Sequence, residues 1–357
     1  MSETTRLRVL YDGWALVHAP SSPAAQHLLA LLAVLPPGIQ AVAALPGDSP
    51  LDLPPAVQKL ASPTAGRDFA HLQWEQRTLP RLARESGARL LHLFDVHPPL
   101  SSPAPVVASP ATPAHAPVAL RQVSERLRGA LAEGAAGSLR AVFWPDDLDP
   151  PSGDTPLYRL PPLAHPVFSA RSTPVYELEG CVLYHGAVDR LSLLRLLEGW
   201  GWVSGIIGEY NPLVLAGLTT AEGELAQRLI EEGDFGETVR IRPAQSPADW
   251  AALYAAAALV VYLGPAPAWG GALTNALAAG KPLVAWEDER AAQRAGPAAY
   301  LTPSGDGRAL GAAISTLVVE EEMAATLAER ARERAEAWRS NSFGARLADA
   351  YRKIVGD

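Results

Sequence analysis

The sequence predicts an α/β protein made of two doubly wound, parallel-sheet domains. Short apolar runs alternate with segments of helical spacing along nearly the whole chain. That order lays helices over both faces of a parallel sheet. A proline-rich stretch from Asp146 to Pro174 interrupts the alternation near the middle. Finally, Leu259 to Ala285 reads as strand, glycine-bearing loop, short helix and a Gly-Lys-Pro turn into another strand. Doubly wound folds use this order to bring a helix N-terminus up to a phosphate or sugar.

In the first half, Leu7 to Tyr11 is a strand that ends at Asp12-Gly13, and Pro23 to Leu35 is a helix stopped by Pro36-Pro37. Gln40 to Leu45 is the next strand, closed by Pro46-Gly47-Asp48. Phe69 to Ser86 has helical spacing, with Trp74 and Leu79 on its apolar side. Strands follow at Arg89 to Phe94 and Pro105 to Ser109, then a helix over Val118 to Glu133 and a strand over Leu139 to Trp144. Beyond the prolines, strands are expected at Gly180 to Tyr184, Leu213 to Ala216, Val239 to Arg242, Leu259 to Leu263 and Leu283 to Trp286. The helices between them are Leu191 to Val203, Ala221 to Glu232, Pro247 to Ala257 and a short one ending at Ala279. Arg308 to Glu321, Met323 to Trp338 and Phe343 to Ile354 close the chain as helices.

At 357 residues, 48% hydrophobic and 19% charged, the chain has the length for two domains with sizeable cores. A net charge of −8 argues against a broad phosphate-backbone surface, so no nucleic-acid partner is expected. The one cysteine, Cys181, excludes an internal disulfide framework and fits a reducing cytoplasm. It sits in the apolar run Gly-Cys-Val-Leu-Tyr, the setting of a buried strand residue. Neither a leader pattern nor an apolar run long enough to span a bilayer is visible, so a cytoplasmic location is expected. Peripheral attachment to a membrane stays open, although no basic amphipathic helix supports it. The run Asp146-Asp147-Leu148-Asp149 lacks the glycine and distal glutamate of a calcium loop and reads as a solvated turn. With no Cys/His metal set, nucleophile elbow or NTPase phosphate loop, neither metal nor cofactor is expected.

The register of residues 259–285 resembles the donor-site segment of the retaining, nucleotide-sugar-dependent group 1 glycosyltransferases of the GT-B fold. In that family the loop reads Glu-Gly-Phe-Gly and the helix ends in Glu-Ala-Met-Ala-Cys-Gly; its two glutamates fall here on Pro267 and Asn275. Arg159 to Phe168 is similar to the family's interdomain segment. The resemblance implies two Rossmann-like domains facing across a cleft. Residues 1–168 would form the acceptor-side domain and 169–340 the nucleotide-sugar side, with 341–357 returning as a helix to the first domain. The implied activity is hexosyl transfer from a nucleotide-sugar to a glycan or lipid acceptor.

Transfer of this kind requires a stabilised diphosphate leaving group and a positioned acceptor hydroxyl. On the donor side the resemblance points to Gly186, Arg190, Gly270, Gly271, Thr274, Asn275 and Glu287. Gly270 and Gly271 leave the backbone free to approach a ligand, or make a tight strand-to-helix turn. Asn275 offers an amide to ribose hydroxyls. The family's arginine and lysine positions fall on Ala187 and near Ser192, which leaves Arg190 as a substitute or as a solvated helix-start residue. Glu287 follows a strand at its C-terminal end, where ligands of α/β folds bind. On the acceptor side the candidates are Asp12 at the end of strand one, Ser21 and Ser22 as hydroxyl donors or helix caps, and His97 in the loop after Phe94. Because family carboxylates, cations and glycines are replaced, two other readings stand beside the transferase. One is a catalytically inactive scaffold that binds a second glycosyltransferase or a glycan. The other is a doubly wound protein that closes on an unrelated small ligand.

Overall fold

The computed structural model describes residues 6–49, 52–64, 69–111, 128–131, 134–185, 190–243, 246–339 and 343–356. The chain forms two compact units: residues 1–20, 24–163 and 342–357 make the first, 21–23 and 164–341 the second.

The first unit is a parallel sheet of β1 (Leu7–Asp12), β2 (Ile39–Leu45), β3 (Gln58–Ala61), β4 (Leu90–Leu93), β5 (Val106–Ala108), β6 (Leu139–Pro145) and β7 (Leu157–Leu160). Their order across the sheet is β3-β2-β1-β4-β5-β6-β7, and β1 pairs in parallel with β2 and β4. The strand order therefore reverses between β1 and β4, and Asp12 lies at the carboxyl end of that switch. Trp74, Leu79, Leu82 and Ala83 pack on Leu10, Val42 and Leu91 to build the core of one face. The helix Phe343–Val355 belongs to this unit. Its Tyr351 hydroxyl meets Nδ1 of the fully buried His92, whose Nε2 lies 2.7 Å from the Ser109 hydroxyl.

The second unit orders its strands β10-β9-β8-β11-β12-β13. They are β8 (Cys181–His185), β9 (Leu213–Ala216), β10 (Val239–Arg242), β11 (Ala257–Tyr262), β12 (Leu283–Trp286) and β13 (Ala299–Thr302). Side chains alternate faces with the period of two that a strand imposes. Val182, Tyr184, Leu213 and Leu215 pack with Trp200, Leu310 and Ile314 on one side. Cys181, Leu183, Val214 and Ala216 pack with Tyr254, Leu273 and Leu277 on the other. Burial pushes the Cys181 thiol up to about 12, which leaves it inert. Capping boxes at Thr219/Glu222 and Ser246/Asp249 fix the starts of Thr220–Glu232 and Pro247–Ala256.

The sequence missed three strands: β3, β7 and β13. All three are edge strands. The helix expected to end at Ala257 ends one residue earlier, and Ala257 opens β11. Of the helix expected over Val118 to Glu133, residues 118–127 and 132–133 lie outside the described residues. Among the described residues, no helix is long and apolar enough to cross a membrane.

Candidate functional site

In the second unit the switch point lies between β8 and β11. The loop from Gly264 to Gly270 follows β11 and leads into the helix Gly271–Ala278. Gly270 has φ 67° and Gly271 φ 85°, both in the left-handed region. A Cβ on Gly271 would stand 2.8 Å from Cγ of Pro267, so glycine is required there both by conformation and by space.

The loop is held from beneath. Ala266 N–H donates to Asp288 Oδ2 at 2.9 Å, and Asp288 also caps the helix Glu289–Ala295. The buried guanidinium of Arg294 donates to the Pro267 carbonyl at 3.3 Å and to Thr274 Oγ1 at 3.2 Å. Arg334 secures that segment in turn, donating to the carbonyls of Arg294 and Gln293 at 2.9 and 2.6 Å. Trp269 is fully buried.

A second network ties the end of β8 to the same helix. His185 stacks on Trp250 with ring centroids 3.7 Å apart, and its Nδ1 lies 2.8 Å from the Tyr254 hydroxyl. That hydroxyl donates to the Ala272 carbonyl at 3.3 Å and is hydrogen-bonded to the Asn275 side chain. Burial lowers the His185 imidazole from its ordinary 6.5 to about 3. Between those values the unfolded chain binds a proton that the folded one does not, so stability falls as pH falls through the window. Taking the second unit from pH 7 to pH 5 should therefore cost on the order of 2 kcal/mol through this residue. Urea unfolding followed by tryptophan fluorescence at both pH values measures the loss, and His185→Gln should shrink it.

Among the donor-side candidates, then, Gly270 and Gly271 form the turn, while Thr274 and Asn275 are buried with their side chains bonded inside the unit. Arg190 is exposed at the first position of Arg190–Gly201. Glu287 is exposed just past β12, its N–H donating to the Thr302 carbonyl at 2.8 Å. Gly186 lies outside the described residues. Sequence reasoning overlooked Arg294, Trp250 and Tyr254, and it read Asp288 as part of the acidic run Glu287-Asp288-Glu289 without its capping role. For Asp288 a signal existed, since an aspartate ahead of a helical run is an N-cap signature.

The first unit gathers charge at its own switch point. Asp12 Oδ1 accepts from Trp14 N–H at 3.0 Å and from Trp74 Nε1 at 2.8 Å. Burial pushes the Asp12 carboxyl up to about 6 against the pull of those bonds. The helix Ala70–Gln73 continues through a π-helical turn, Trp74–Thr78, into Leu79–Ser86. Such wide turns frequently mark functional positions. This one delivers Glu75, 1% exposed, to Arg128, whose Nε and NH2 reach Oε2 and Oε1 at 3.0 and 2.5 Å. The same NH2 reaches Asp95 Oδ2 at 2.9 Å. Burial and the facing Asp95 push Glu75 well above the usual carboxylate range, despite Arg128. Burial also acts to raise Asp95, but the His97 hydrogen bond and the charge of Arg128 outweigh it and hold that carboxyl low. His71 stacks on Trp14 at 4.3 Å and is lowered to about 3, by burial first and by Arg128 next.

Asp12 and His97 thus belong to one charged neighbourhood, with His97 N–H donating to Asp95 Oδ1 at 3.0 Å. Ser21 and Ser22 lie half-buried in the turn before the helix Pro23–Ala33.

Residues 208–334 match the family model described as glycosyl transferases group 1. Over this stretch the chain is similar to that family. The stretch contains the loop, the helix Gly271–Ala278 and the residues that hold them. The full chain shares its fold with solved glycosyltransferases. Sucrose-phosphate synthase from Thermosynechococcus elongatus is 17% identical, with a TM-score of 0.71 over 98% of this chain and 100% of that one. WaaG, a glycosyltransferase involved in lipopolysaccharide biosynthesis, is 16% identical, with a TM-score of 0.71 over 98% and 100%. Anabaena HepE in complex with UDP and glucose is 15% identical, with a TM-score of 0.69 over 97% and 99%. Both parallel sheets of the GT-B fold are present here. No curated protein matches the sequence.

Proposed function

We propose that the protein is a nucleotide-sugar-dependent glycosyltransferase whose donor binds at the Gly264–Gly271 loop. The observation that supports this best is the match over 208–334, which spans the loop and the helix after it. In this reading the backbone at Gly270 and Gly271 approaches the diphosphate, and Glu287 at the exposed end of β12 faces the sugar or ribose. Anabaena HepE was solved with UDP-glucose, which makes a uridine donor the first to try. Asp12, Ser21, Ser22 and His97 are the acceptor-side candidates, for a glycan or lipid hydroxyl. The cytoplasm, including the membrane periphery, is the corresponding place of action; a second glycosyltransferase as partner belongs to the non-catalytic reading.

The positions of the two family glutamates carry Pro267 and Asn275. In this reading the diphosphate contacts come from the backbone, since Thr274 and Asn275 are buried and bonded inside the unit. Thermal unfolding in a panel of nucleoside diphosphates and nucleotide-sugars tests the proposal. A true donor at about 100 times its Kd should stabilise the fold by roughly 2.7 kcal/mol. If no member of the panel raises the melting temperature, the transferase reading fails and the non-catalytic scaffold replaces it.

A further inference from the structure

The charged cluster of the first unit has a geometry that glycosyl transfer does not call for. His71 and Glu75 stand one helical turn apart, and His71 Nε2 lies 3.4 Å from Glu75 Oε1. Asp95 Oδ2 joins them from the loop after β4, and the three ligand atoms all lie within 4.8 Å of one another. Bonds of about 2.0–2.2 Å to a tetrahedral ion place its ligands roughly 3.4 Å apart. The His71–Glu75 spacing is that edge.

The outer oxygens of both carboxylates are already fixed. Glu75 Oε2 accepts from Arg128 Nε, and Asp95 Oδ1 accepts from the His97 N–H. Bonds of this kind orient metal ligands from behind. The inner oxygens, Oε1 and Oδ2, share a single guanidinium nitrogen. His71 Nε2 is shielded from solvent and has no hydrogen-bond partner. The Trp14 ring holds the His71 plane, parallel to within 7°. Glu75 and Asp95 thus turn two carboxyl groups toward one guanidinium, with Asp12 in the same neighbourhood.

We propose that His71, Glu75 and Asp95 form a binding site for a divalent transition metal of the zinc class, entered when the Arg128 NH2 gives up the two inner oxygens. One imidazole and two carboxylates suit such an ion better than calcium or magnesium, which take oxygen alone. His97 Nδ1, 3.4 Å from Asp95 Oδ2, stands beside the remaining position. The ligands lie 24 positions apart in sequence at their widest, on a helix and a loop, which is why no metal spacing is visible in the chain. The site adjoins two acceptor-side candidates of the transferase reading, Asp12 and His97, but metal binding is read separately from nucleotide binding, so either can fail alone.

The test uses the full chain, stripped with chelator and titrated with Zn2+ by calorimetry and with Co2+ by visible spectroscopy. One equivalent should bind with micromolar or tighter affinity, and Co2+ should give the intense visible bands of a four-coordinate site. His71→Ala should weaken binding by about 100-fold or more, beyond the usual loss from an outer-sphere change. Asp95→Asn, at a partly exposed position, should also weaken it if His71→Ala does not fold. His165→Ala, in the second unit, should leave it unchanged. The absence of saturable one-equivalent binding by the unaltered chain would overturn the proposal. So would unchanged affinity in both ligand variants, or a Co2+ spectrum of six-coordinate intensity.

Discussion

Arg128→Ala is expected to destabilise the first unit by about 3–5 kcal/mol, the cost of leaving a buried carboxylate without its partner. Glu75 is 1% exposed and Arg128 7%, so water cannot replace the lost guanidinium without opening the core. Two carboxyl groups lose a donor at once, because the same NH2 serves Glu75 and Asp95. Glu75 is already pushed upward by burial; without Arg128 it takes up a proton instead of staying charged. The penalty should therefore be smaller at pH 5 than at pH 8. The exposed pair Arg81–Glu85, with both side chains 52% accessible, sets the contrast. Arg81→Ala should cost under about 1 kcal/mol, because solvent screens that pair. Urea unfolding of the full chain separates the cases, and a loss under about 1 kcal/mol for Arg128→Ala would contradict the buried network.

Gly271→Val should cost about 3 kcal/mol and abolish nucleotide binding together. The left-handed φ of 85° penalises any side chain with a Cβ by about 1–3 kcal/mol. The new Cβ would also press on the Pro267 ring at 2.8 Å. Relief requires that ring to move, and Pro267 is anchored through its carbonyl to Arg294. The strain thus spreads along the loop where the donor is proposed to bind. Gly223→Ala is the control: a Cβ there meets nothing within 4 Å, and the residue sits inside the helix Thr220–Glu232. It should be neutral or stabilise by up to about 1 kcal/mol. Calorimetry with the nucleotide that raises the melting temperature reads the binding half of the prediction, and unchanged affinity in Gly271→Val would remove the loop from the donor site.

The sequence announced the central strands and hid three of the four at the edges, all but β10, for a physical reason. A central strand of a parallel sheet is covered on both faces and reads as an apolar run, as in Val182-Leu183-Tyr184 or Leu259-Val260-Val261. Gln58-Lys59-Leu60-Ala61 in β3 is mostly exposed, and Leu157-Tyr158-Arg159-Leu160 in β7 is half-buried among prolines. Such residues satisfy an edge without any pattern to reveal it. The loop-and-helix segment after β11 was legible because its order is local. The charged cluster was not, because Asp12, Trp74, Asp95 and Arg128 become neighbours only through long-range topology. Local patterning could see Trp74 as an apolar residue on a helix. It could not see that its ring nitrogen is spent on a carboxylate 62 positions away.

The wide turn at Trp74–Thr78 sets the phase between two halves of one helix. An ordinary helix advances about 100° per residue, so the surplus there rotates everything upstream relative to everything downstream. Leu79, Leu82 and Ala83 stay seated in the core while His71 swings round to meet Trp14. Evolution can therefore retune the polar end of this unit by gaining or losing one residue at that point, without disturbing the apolar anchor. Relatives in which this segment is one residue shorter would keep the scaffold and lose the constellation as a whole.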